Sequence, residues 1–257
     1  MSRLKELVQL NNLLLEHMPE YRPQAKSFPE DEDAQWQLFR SLVNVRESGP
    51  VSDEFLALQD AFLKKEIRNV TDWHDLAPAE EGIYLWQGDI TTLRVDAIVN
   101  AANSGLTGCY HPCHKCIDNC IHTYAGVQLR NCCAEIMEEQ GYPEPTGQAK
   151  ITPAFNLPSK HVIHTVGPIV NGPLTDRHRE LLVSCYRSCL ILAEENHLES
   201  IAFCCISAGE FCFPNEEAAI IALREVRQYR RQGGQCKVIF NVFGDKDRDI
   251  YNQLLSK

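Results

Sequence analysis

Hydrophobic residues recur at helical spacing along the first part of the chain. From residue 2 to about 20 they fall three or four positions apart, which predicts an amphipathic helix that ends near Pro19. Two further segments, about 31–46 and 52–68, begin with acidic residues and end with Arg or Lys, as the helix dipole favours. We therefore predict a three-helix N-terminal extension over residues 1–78, which either packs beside the main domain or covers it as a lid.

From residue 79 the pattern changes to short runs rich in β-branched residues, separated by segments with helical spacing. The predicted strands are 82–87, 95–100, 161–166, 201–206 and 238–242, and the predicted helices are about 118–140, 176–197, from 214 and from about 246. Strands that alternate with helices predict an α/β domain over residues 79–257, with a largely parallel sheet covered on both faces. Ligands bind such sheets beyond the carboxyl ends of the strands, where the loops 100–118 and 207–213 begin.

The composition limits the classes of partner and compartment. The chain has 257 residues, of which 44% are hydrophobic, and a formal net charge of −10. Binding to a nucleic-acid backbone depends on Lys and Arg that neutralise phosphates, so this acidic chain is not expected to bind nucleic acid. No apolar run approaches the ~20 residues that cross a bilayer, and the start, MSRLKELVQL, mixes charges of both signs. We expect a cytoplasmic protein that is neither secreted nor bound to a membrane.

Cysteine and histidine are concentrated in one short segment. Residues 108–122 read GCYHPCHKCIDNCIH and contain four cysteines and three histidines, side chains that zinc prefers. Eleven of the 12 cysteines lie between Cys109 and Cys212, but those in apolar segments, such as Cys204 and Cys205, are expected to be reduced core residues. Spacing alone leaves several zinc ligand sets open, including a closed four-thiolate structural site formed by Cys109, Cys113, Cys116 and Cys120.

Residues 207–213, SAGEFCF, join a buried strand to a helix, with Gly209 at the expected turn. A turn of this kind directs backbone N–H groups and the positive end of the helix dipole towards an anion, so it is a candidate phosphate site. An ordinary strand–helix connection explains the same pattern. Within this loop, Glu210 is equally consistent with a solvent-exposed turn residue. Phe213, which precedes a proline, is equally consistent with a core residue.

Four motifs resemble the macrodomain family in their order and spacing. They are Gly88-Asp89-Ile90-Thr91, the run VDAIVNAAN over residues 95–103, Ile121-His122 with Ala125-Gly126, and Ser207-Ala208-Gly209 with Phe213-Pro214. The resemblance covers residues 82–257, about two thirds of the chain. It implies a three-layer α/β/α sandwich with a mixed sheet that binds ADP-ribose, preceded here by the small N-terminal helical extension.

The resemblance also implies roles for individual residues in binding ADP-ribose. Asp89 resembles the carboxylate that accepts a hydrogen bond from the adenine amino group, with Ile90 beside it. Asn103 resembles the asparagine that holds the distal ribose. The loop over the pyrophosphate is the remaining match, and it comprises Ser207, Ala208, Gly209, Glu210, Phe211 and Phe213.

The chain departs from the common hydrolase pattern of the family shortly after Asn103. Where many relatives have a run of glycines, this sequence has GCYHPCHKC, and it is similar to the zinc-containing macrodomains of bacteria and fungi, which also carry an N-terminal helical extension. That resemblance implies one Zn²⁺ per chain, held by Cys109, His114 and Cys116 with the fourth position open. Asp118, which also fits a helix cap, aligns with the acid of the hydrolase motif and is expected to orient or deprotonate the attacking water.

The resemblance implies a zinc-dependent hydrolase that removes mono-ADP-ribose from modified proteins and releases ADP-ribose. An ester to an acidic side chain is the expected linkage, because a carboxylate is a better leaving group than an amide or a guanidine. Catalysis is assigned to Asp118 and Asn103, and His122 is expected to be structural. The alternatives are a non-catalytic reader of ADP-ribose with a structural zinc, a deacylase of O-acyl-ADP-ribose, and a structural zinc protein without a nucleotide.

Overall fold

A computed structural model describes residues 1–256 of the chain. The first part of the chain is helical, with α1 Arg3–His17, α2 Arg22–Ala25, α3 Glu32–Val45 and α4 Asp53–Glu66. The three predicted helical segments are confirmed, and the short α2 is an addition. Side-chain caps set two of the starts, because Asp31 accepts a hydrogen bond from Ala34 N and Ser52 accepts one from Phe55 N.

Helices α1, α3 and α4 pack around a hydrophobic core of their own. Its fully buried members include Leu7 and Leu10 of α1, Phe39 of α3 and Phe62 of α4. The rings of Phe39 and Phe62 meet edge to face, with their centroids 6.0 Å apart. Val127, at the start of a later helix, joins the same cluster, so the helices are packed onto the rest of the chain.

The rest of the chain is built on strands. Their bounds are β1 Thr71–Asp72, β2 Pro78–Glu80, β3 Ile83–Gln87, β4 Leu93–Arg94, β5 Ala97–Ala102, β6 Ala149–Pro153, β7 His161–Val166, β8 Ser200–Phe203 and β9 Lys237–Val242. One sheet has the order β2–β3–β9–β8–β5–β7–β6, and β1 and β4 form a separate parallel pair. The central strands of the large sheet are parallel, while β2 and β6 pair antiparallel at its two edges. This confirms the expected mixed sheet.

Helices cover both faces of the large sheet. They are α5 Ile117–Ala125, α6 Val127–Gln140, α7 Asp176–Glu195, α8 Asn215–Arg231 and α9 Asp245–Leu255. The central strands β5, β7, β8 and β9 are buried along almost their whole length, as strands between two helical layers are. The predicted three-layer α/β/α sandwich is therefore confirmed. Within residues 1–256, no helix combines the length and the apolar character needed to cross a membrane.

The structure differs from the sequence analysis of this region in one wrong prediction and two missed strands. The segment 118–140, predicted as one helix, is two helices that meet at Gly126, whose φ of +96° is rarely adopted by other residues. A Cβ at this position would also lie 2.7 Å from Nε2 of Gln59 in α4, so the break depends on packing as well as on the backbone. The edge strands β2 and β6 were not predicted, although the inner strands lie close to their predicted positions.

Candidate active site

The carboxyl ends of β5, β8 and β9 border one large cavity. Its volume is about 630 Å³, within the range of about 300–1,000 Å³ typical of small-molecule sites. One rim is the cysteine-rich loop, residues 108–116, which leads from β5 towards α5. The other rim is the glycine loop, residues 207–213, which leads from β8 to α8. The fold therefore places the two loops that the sequence singled out around one cleft.

Asp118, in the first turn of α5, lines the cleft and is held from behind by Asn100 of β5. Asn100 Nδ2 donates a hydrogen bond to Asp118 Oδ1 over 2.8 Å and lies 3.1 Å from His164 Nδ1. His164 Nε2 is in turn 3.0 Å from Thr152 Oγ1. Because Asn100 and His164 are fully buried, this chain of contacts fixes the orientation of the carboxylate.

Asn103, which lies three residues beyond Asn100 along the chain, reaches the other oxygen of Asp118. Asn103 Nδ2 donates to Gly108 O over 3.0 Å and lies 3.4 Å from Asp118 Oδ2. Asn103 Oδ1 accepts a hydrogen bond from Gly105 N over 2.9 Å. The structure thus brings together the two residues to which catalysis was assigned from the sequence.

Burial controls the charge of this carboxylate. Only 5% of Asp118 is exposed, and the loss of hydration raises its pKa to about 6, against the opposing effects of the Asn100 hydrogen bond and the Arg130 charge. His122 Nε2 lies 3.6 Å from Asp118 Oδ1. Burial, aided by the neighbouring His164 and Arg130, lowers the pKa of His122 well below its usual range. The imidazole beside Asp118 is therefore neutral, and the pair is not a buried salt bridge.

Three of the seven candidate zinc ligands converge at the rim of the cleft. The donor atoms of Cys109, His114 and Cys116 all lie within 4.8 Å of one another, and Cys109 Sγ is 3.6 Å from His114 Nδ1. Tetrahedral zinc, with bonds of about 2.0–2.3 Å, holds its ligand atoms about 3.3–3.8 Å apart, and the distance between Cys109 and His114 falls in this range. Burial raises the pKa of Cys116 to about 12, and a cation beside this thiol would stabilise its thiolate form.

The two other cysteines of the segment lie outside this group of donors. Cys113 Sγ lies 3.3 Å from Ser41 Oγ and 3.4 Å from Gln37 O, both in α3. Cys120 lies further along α5, and it is outside the converging group. Among the residues that the structure describes, this geometry favours a three-residue donor set over the closed four-thiolate set.

A second close group of metal-competent side chains lies in the core and comprises His122, Cys133 and His164. Burial lowers the pKa of His164 to about 3 and raises the pKa of the Cys133 thiol above its usual range. His164 already contacts Asn100 and Thr152, and the positive Arg130 lies close enough to lower the pKa of His122. We therefore assign this group to the packing beneath Asp118.

The glycine loop takes its shape from the backbone. Ser207 has a φ of +63° and Cys212 one of +55°, values that residues with a side chain rarely adopt. Two hydrogen bonds close the loop, from Phe213 N to Ser207 O and from Cys212 N to Gly209 O, each over 3.0 Å. Gly167, just beyond β7, packs so closely that a Cβ there would lie 2.0 Å from Ser207 Oγ.

The glycine loop presents backbone donors at the cleft. The N–H groups of Gly209, Glu210 and Phe211 donate no hydrogen bond to any residue within 1–256, so an anion can accept from them. At the mouth of the cleft, Glu210 Oε1 lies 3.7 Å from His114 Nε2, so the two rims approach each other there.

Most of the predicted ADP-ribose-binding residues line the cavity, and three do not. The lining includes Asn103, Ser207, Ala208, Gly209, Glu210 and Phe211. Phe213 is 1% exposed, so its side chain belongs to the core and offers no surface to a ligand. Asp89 is exposed but outside the cavity lining, where its Oδ1 accepts from Thr91 N and Thr91 Oγ1, and Ile90 is buried behind it.

The sequence did not point to two residues of the site. Asn100 looks like an ordinary member of a buried strand, and only the folded chain brings it behind Asp118. Phe243 follows β9 directly, lines the mouth of the cleft and is 79% exposed. The sequence feature that could have identified Phe243 is its position as an aromatic residue before Gly244, at the carboxyl end of a predicted strand.

Comparisons with known proteins agree with this architecture. The Macro domain model matches residues 99–222. A Protein-ADP-ribose hydrolase from Treponema medium is 54% identical over the full length of both chains. An Oceanobacillus iheyensis macrodomain with ADP superimposes with a TM-score of 0.63 and 39% identity, and the match covers 68% of this chain and 90% of that one. A Trypanosoma brucei macrodomain in complex with ADP-ribose gives a TM-score of 0.65 and 29% identity, over 84% and 94% of the two chains.

The fold and the cleft define a class of protein, the three-layer α/β/α proteins that bind a ligand where parallel strands end. Within that class, the chain belongs to the Macro domain family. The resemblance carried by residues 88–91, 95–103 and the glycine loop is thereby confirmed. The presence of zinc remains a prediction, supported by the convergence of three donor side chains.

Proposed function

We propose that the protein is a hydrolase that removes mono-ADP-ribose from modified proteins and releases ADP-ribose. The observation that carries the proposal is the geometry at the base of the cleft, where Asn100 and Asn103 hold the carboxylate of Asp118 against the cavity. A protein that only bound the nucleotide would not need an oriented, buried carboxylate at this place. The relative from Treponema medium, which is named for this reaction, supports the same function.

ADP-ribose would lie along the cleft between the two rims. The free N–H groups of the glycine loop bind the pyrophosphate. Asn103 holds the distal ribose beside Asp118. At the other end, the adenine would extend out of the cavity past Phe243, which stacks on the base, to the exposed Asp89, which accepts a hydrogen bond from the adenine amino group with Ile90 behind it.

Asp118 acts on the attacking water. Its carboxylate takes a proton from the water as the water oxygen bonds to C1″ of the distal ribose, and the bond from C1″ to the side-chain oxygen breaks. The leaving group departs as a carboxylate, and the proton passes from Asp118 to solvent. The products are ADP-ribose and the restored acidic side chain. We propose an ester to Asp or Glu as the substrate linkage because a carboxylate leaves more readily than an amide or a guanidine.

Cys109, His114 and Cys116 are proposed to hold one Zn²⁺ at the rim of the cleft. A zinc ion with three protein ligands supplies a Lewis acid that orients or polarises oxygen atoms of a substrate. The chain itself links this donor set to the carboxylate, because Cys116 Sγ accepts a hydrogen bond from Asn119 N and so caps the helix that begins just before Asp118.

We also propose that residues 79–257 form the catalytic domain and that residues 1–78 are an extension to it. Two separate clusters of buried hydrophobic residues support this division. One lies among α1, α3 and α4 and includes Val127 of α6, and the other surrounds the large sheet. The extension contributes no side chain to the lining of the cleft.

The substitution Asp118→Asn tests the proposal. Asn keeps the volume of the side chain and an oxygen for the Asn100 hydrogen bond, but it cannot take a proton from water. We expect release of ADP-ribose from a protein modified on acidic side chains to fall at least about 100-fold. The Kd for ADP-ribose should change by less than about 3-fold, since the carboxylate acts on water and not on the nucleotide. Asp33→Asn, at the exposed start of α3, is the matched control.

Three results would contradict this function in different ways. Undiminished release by Asp118→Asn would remove Asp118 from the reaction. A wild-type protein that binds ADP-ribose but releases none from modified proteins would be a reader. Turnover of O-acyl-ADP-ribose without release from proteins would make the chain a deacylase of the small ester.

A further inference from the structure

Helix α3 of the N-terminal extension lies directly behind the cysteine-rich loop. Arg40 Nη2 donates a hydrogen bond to His114 O over 3.0 Å and another to Asn119 Oδ1 over 2.9 Å. One guanidinium nitrogen of the extension is thus bonded both to a proposed zinc-ligand residue and to the first turn of α5.

Asn119 extends this contact to the two other ligand residues. Its Nδ2 donates to Cys109 O over 3.3 Å and to His111 O over 3.0 Å, and its backbone N–H donates to Cys116 Sγ over 3.4 Å. Asn119 is fully buried, so its side chain cannot replace these partners with water. Each of the three ligand residues is therefore bonded either to Arg40 or to the asparagine that Arg40 holds.

Other buried polar contacts fix α3 in place against the loop. Asn44 Oδ1 accepts from Cys113 N over 2.9 Å, and Asn44 Nδ2 donates to Thr123 Oγ1 over 3.0 Å. Arg130 of α6, which is 3% exposed, donates to Val43 O at the end of α3 over 2.9 Å. A buried polar group that loses its hydrogen-bond partner destabilises the folded protein. These contacts therefore favour a fixed position for α3 over a moving lid.

We propose that α3 is a structural part of the metal centre and that Arg40 is a positioning residue for its ligands, so that the extension sets the zinc affinity of the catalytic domain. The inference rests on the metal site of the proposed function. The cysteine-rich loop has no regular secondary structure, and ordering it around an ion costs conformational entropy. Hydrogen bonds that hold the loop in its binding conformation beforehand reduce this cost.

Zinc binding by Arg40→Met tests the inference, with Arg3→Met as the matched control. Both substitutions remove a guanidinium from the extension, but the ion pairs of Arg3 go to Glu66 and Glu32 within the extension itself. Competition between the full-length protein and a chromophoric chelator, with zinc alone, gives the Kd and the rate of zinc loss. We expect Arg40→Met to raise the zinc Kd about 10–100-fold and to speed dissociation, as the loss of residues behind metal ligands does. Arg3→Met should bind zinc as the wild type does.

Further measurements separate positioning from general loss of structure. The affinity for ADP-ribose, which depends on the glycine loop, should be the same in both variants and in the wild type. Arg40→Lys keeps the charge but not the fork of donors, so its zinc Kd should lie between those of the wild type and Arg40→Met. If Arg40→Met does not fold, Arg40→Lys carries the test against the wild type.

The outcomes distinguish this inference from the proposed function. Equal zinc Kd values and equal rates of zinc loss in the wild type and a folded Arg40 variant would overturn the role of Arg40 alone. A wild-type protein that binds no zinc would overturn the proposed metal site and this inference with it.

Discussion

The two rims of the cleft are built in different ways. Side chains hold the cysteine-rich loop, and Arg40 and Asn119 reach it from two different helices. The glycine loop is held by backbone hydrogen bonds, with Ser207 and Cys212 in conformations with positive φ. The first rim therefore depends on the identity of residues far apart in the sequence. The second depends on local conformation and on the space around it.

In the proposed function, the two rims should affect two different properties of the enzyme, its turnover and its affinity for ADP-ribose. The cysteine-rich rim lies beside Asp118 and should control turnover. The glycine rim presents N–H groups to the pyrophosphate and should control the affinity for ADP-ribose. Substitutions on each rim can confirm this separation or contradict it.

Among substitutions that test the two rims, the largest effect is expected from Cys116→Ser on the cysteine-rich rim. Serine is also a good N-cap, so the geometry of α5 should be retained, but the thiolate ligand is lost. Substitution of a residue that supports a metal ligand typically lowers metal affinity about 10–100-fold, and we expect the loss of a ligand itself to lower it further. Release of ADP-ribose from a modified protein should fall at least about 10-fold. Metal analysis and a turnover assay measure the two effects, and titration with ADP-ribose should show little change in Kd.

Cys113→Ser is the matched control for this prediction, because its Sγ points towards Ser41 and Gln37 of α3. We expect it to retain both zinc and turnover. Loss of zinc from this variant would instead indicate the closed four-thiolate site. Full activity in a folded, metal-free Cys116→Ser protein would exclude zinc from the reaction.

A smaller effect is expected from Phe243→Ala at the mouth of the cleft. Stacking of an aromatic ring on a base contributes about 1–3 kcal/mol, so the Kd for ADP-ribose should rise about 10-fold. Turnover of saturating substrate should be nearly unchanged, because the ring is proposed to contact the adenine and not the reacting ribose. Tyr142→Ala removes another exposed aromatic residue, 60% accessible and outside the cleft lining, and should leave the Kd as it is. Equal Kd values in the two variants would argue against stacking.

The smallest effect is expected from Gly167→Ala behind the glycine loop. The added Cβ would lie 2.0 Å from Ser207 Oγ and 3.0 Å from Ile206 Cγ2, so the loop must shift. If this shift weakens the binding free energy by about 1 kcal/mol, the Kd for ADP-ribose should rise about 5-fold. Calorimetric titration measures this change.

Gly244→Ala serves as the control for this substitution, because a Cβ there meets open space. Its Kd should match that of the wild type. A loss of turnover without a loss of affinity in Gly167→Ala would contradict the assignment of the glycine rim to binding.

The sequence predicted those parts of the fold that depend on local signals. Helices α3 and α4 begin at or next to their predicted starts because Asp31 and Ser52 cap them, and the inner strands follow their β-branched runs. The break at Gly126 was missed because it also reflects close packing against Gln59, which lies far away in the sequence. The edge strand β6 was missed because its five residues form a strand only by pairing with β7.

The candidate site divides in the same way. Motifs identified the two loops, and the structure brings Asn103, Asp118 and the three donor side chains together around one cleft. No spacing rule could show that Cys113 points to α3 or that Asn100 supports Asp118, because both depend on contacts between distant segments. Phe213 illustrates the reverse case, since membership of a binding loop did not determine which way its side chain points.

The short spacing between Cys116 and Asp118 has a consequence for insertions and deletions. Helix α5 starts between these residues, and each residue of an α-helix turns the chain by about 100°. One inserted residue at this point would therefore rotate the carboxylate away from the cleft, even with every side chain of the site retained. Between Cys109 and His114 there is no helical register, so an extra residue there would disturb the loop contacts with Arg40 and Asn119 without turning Asp118 away from the cleft. An insertion before Cys116 is thus expected to affect the proposed zinc ligands, and an insertion immediately after it is expected to affect the carboxylate.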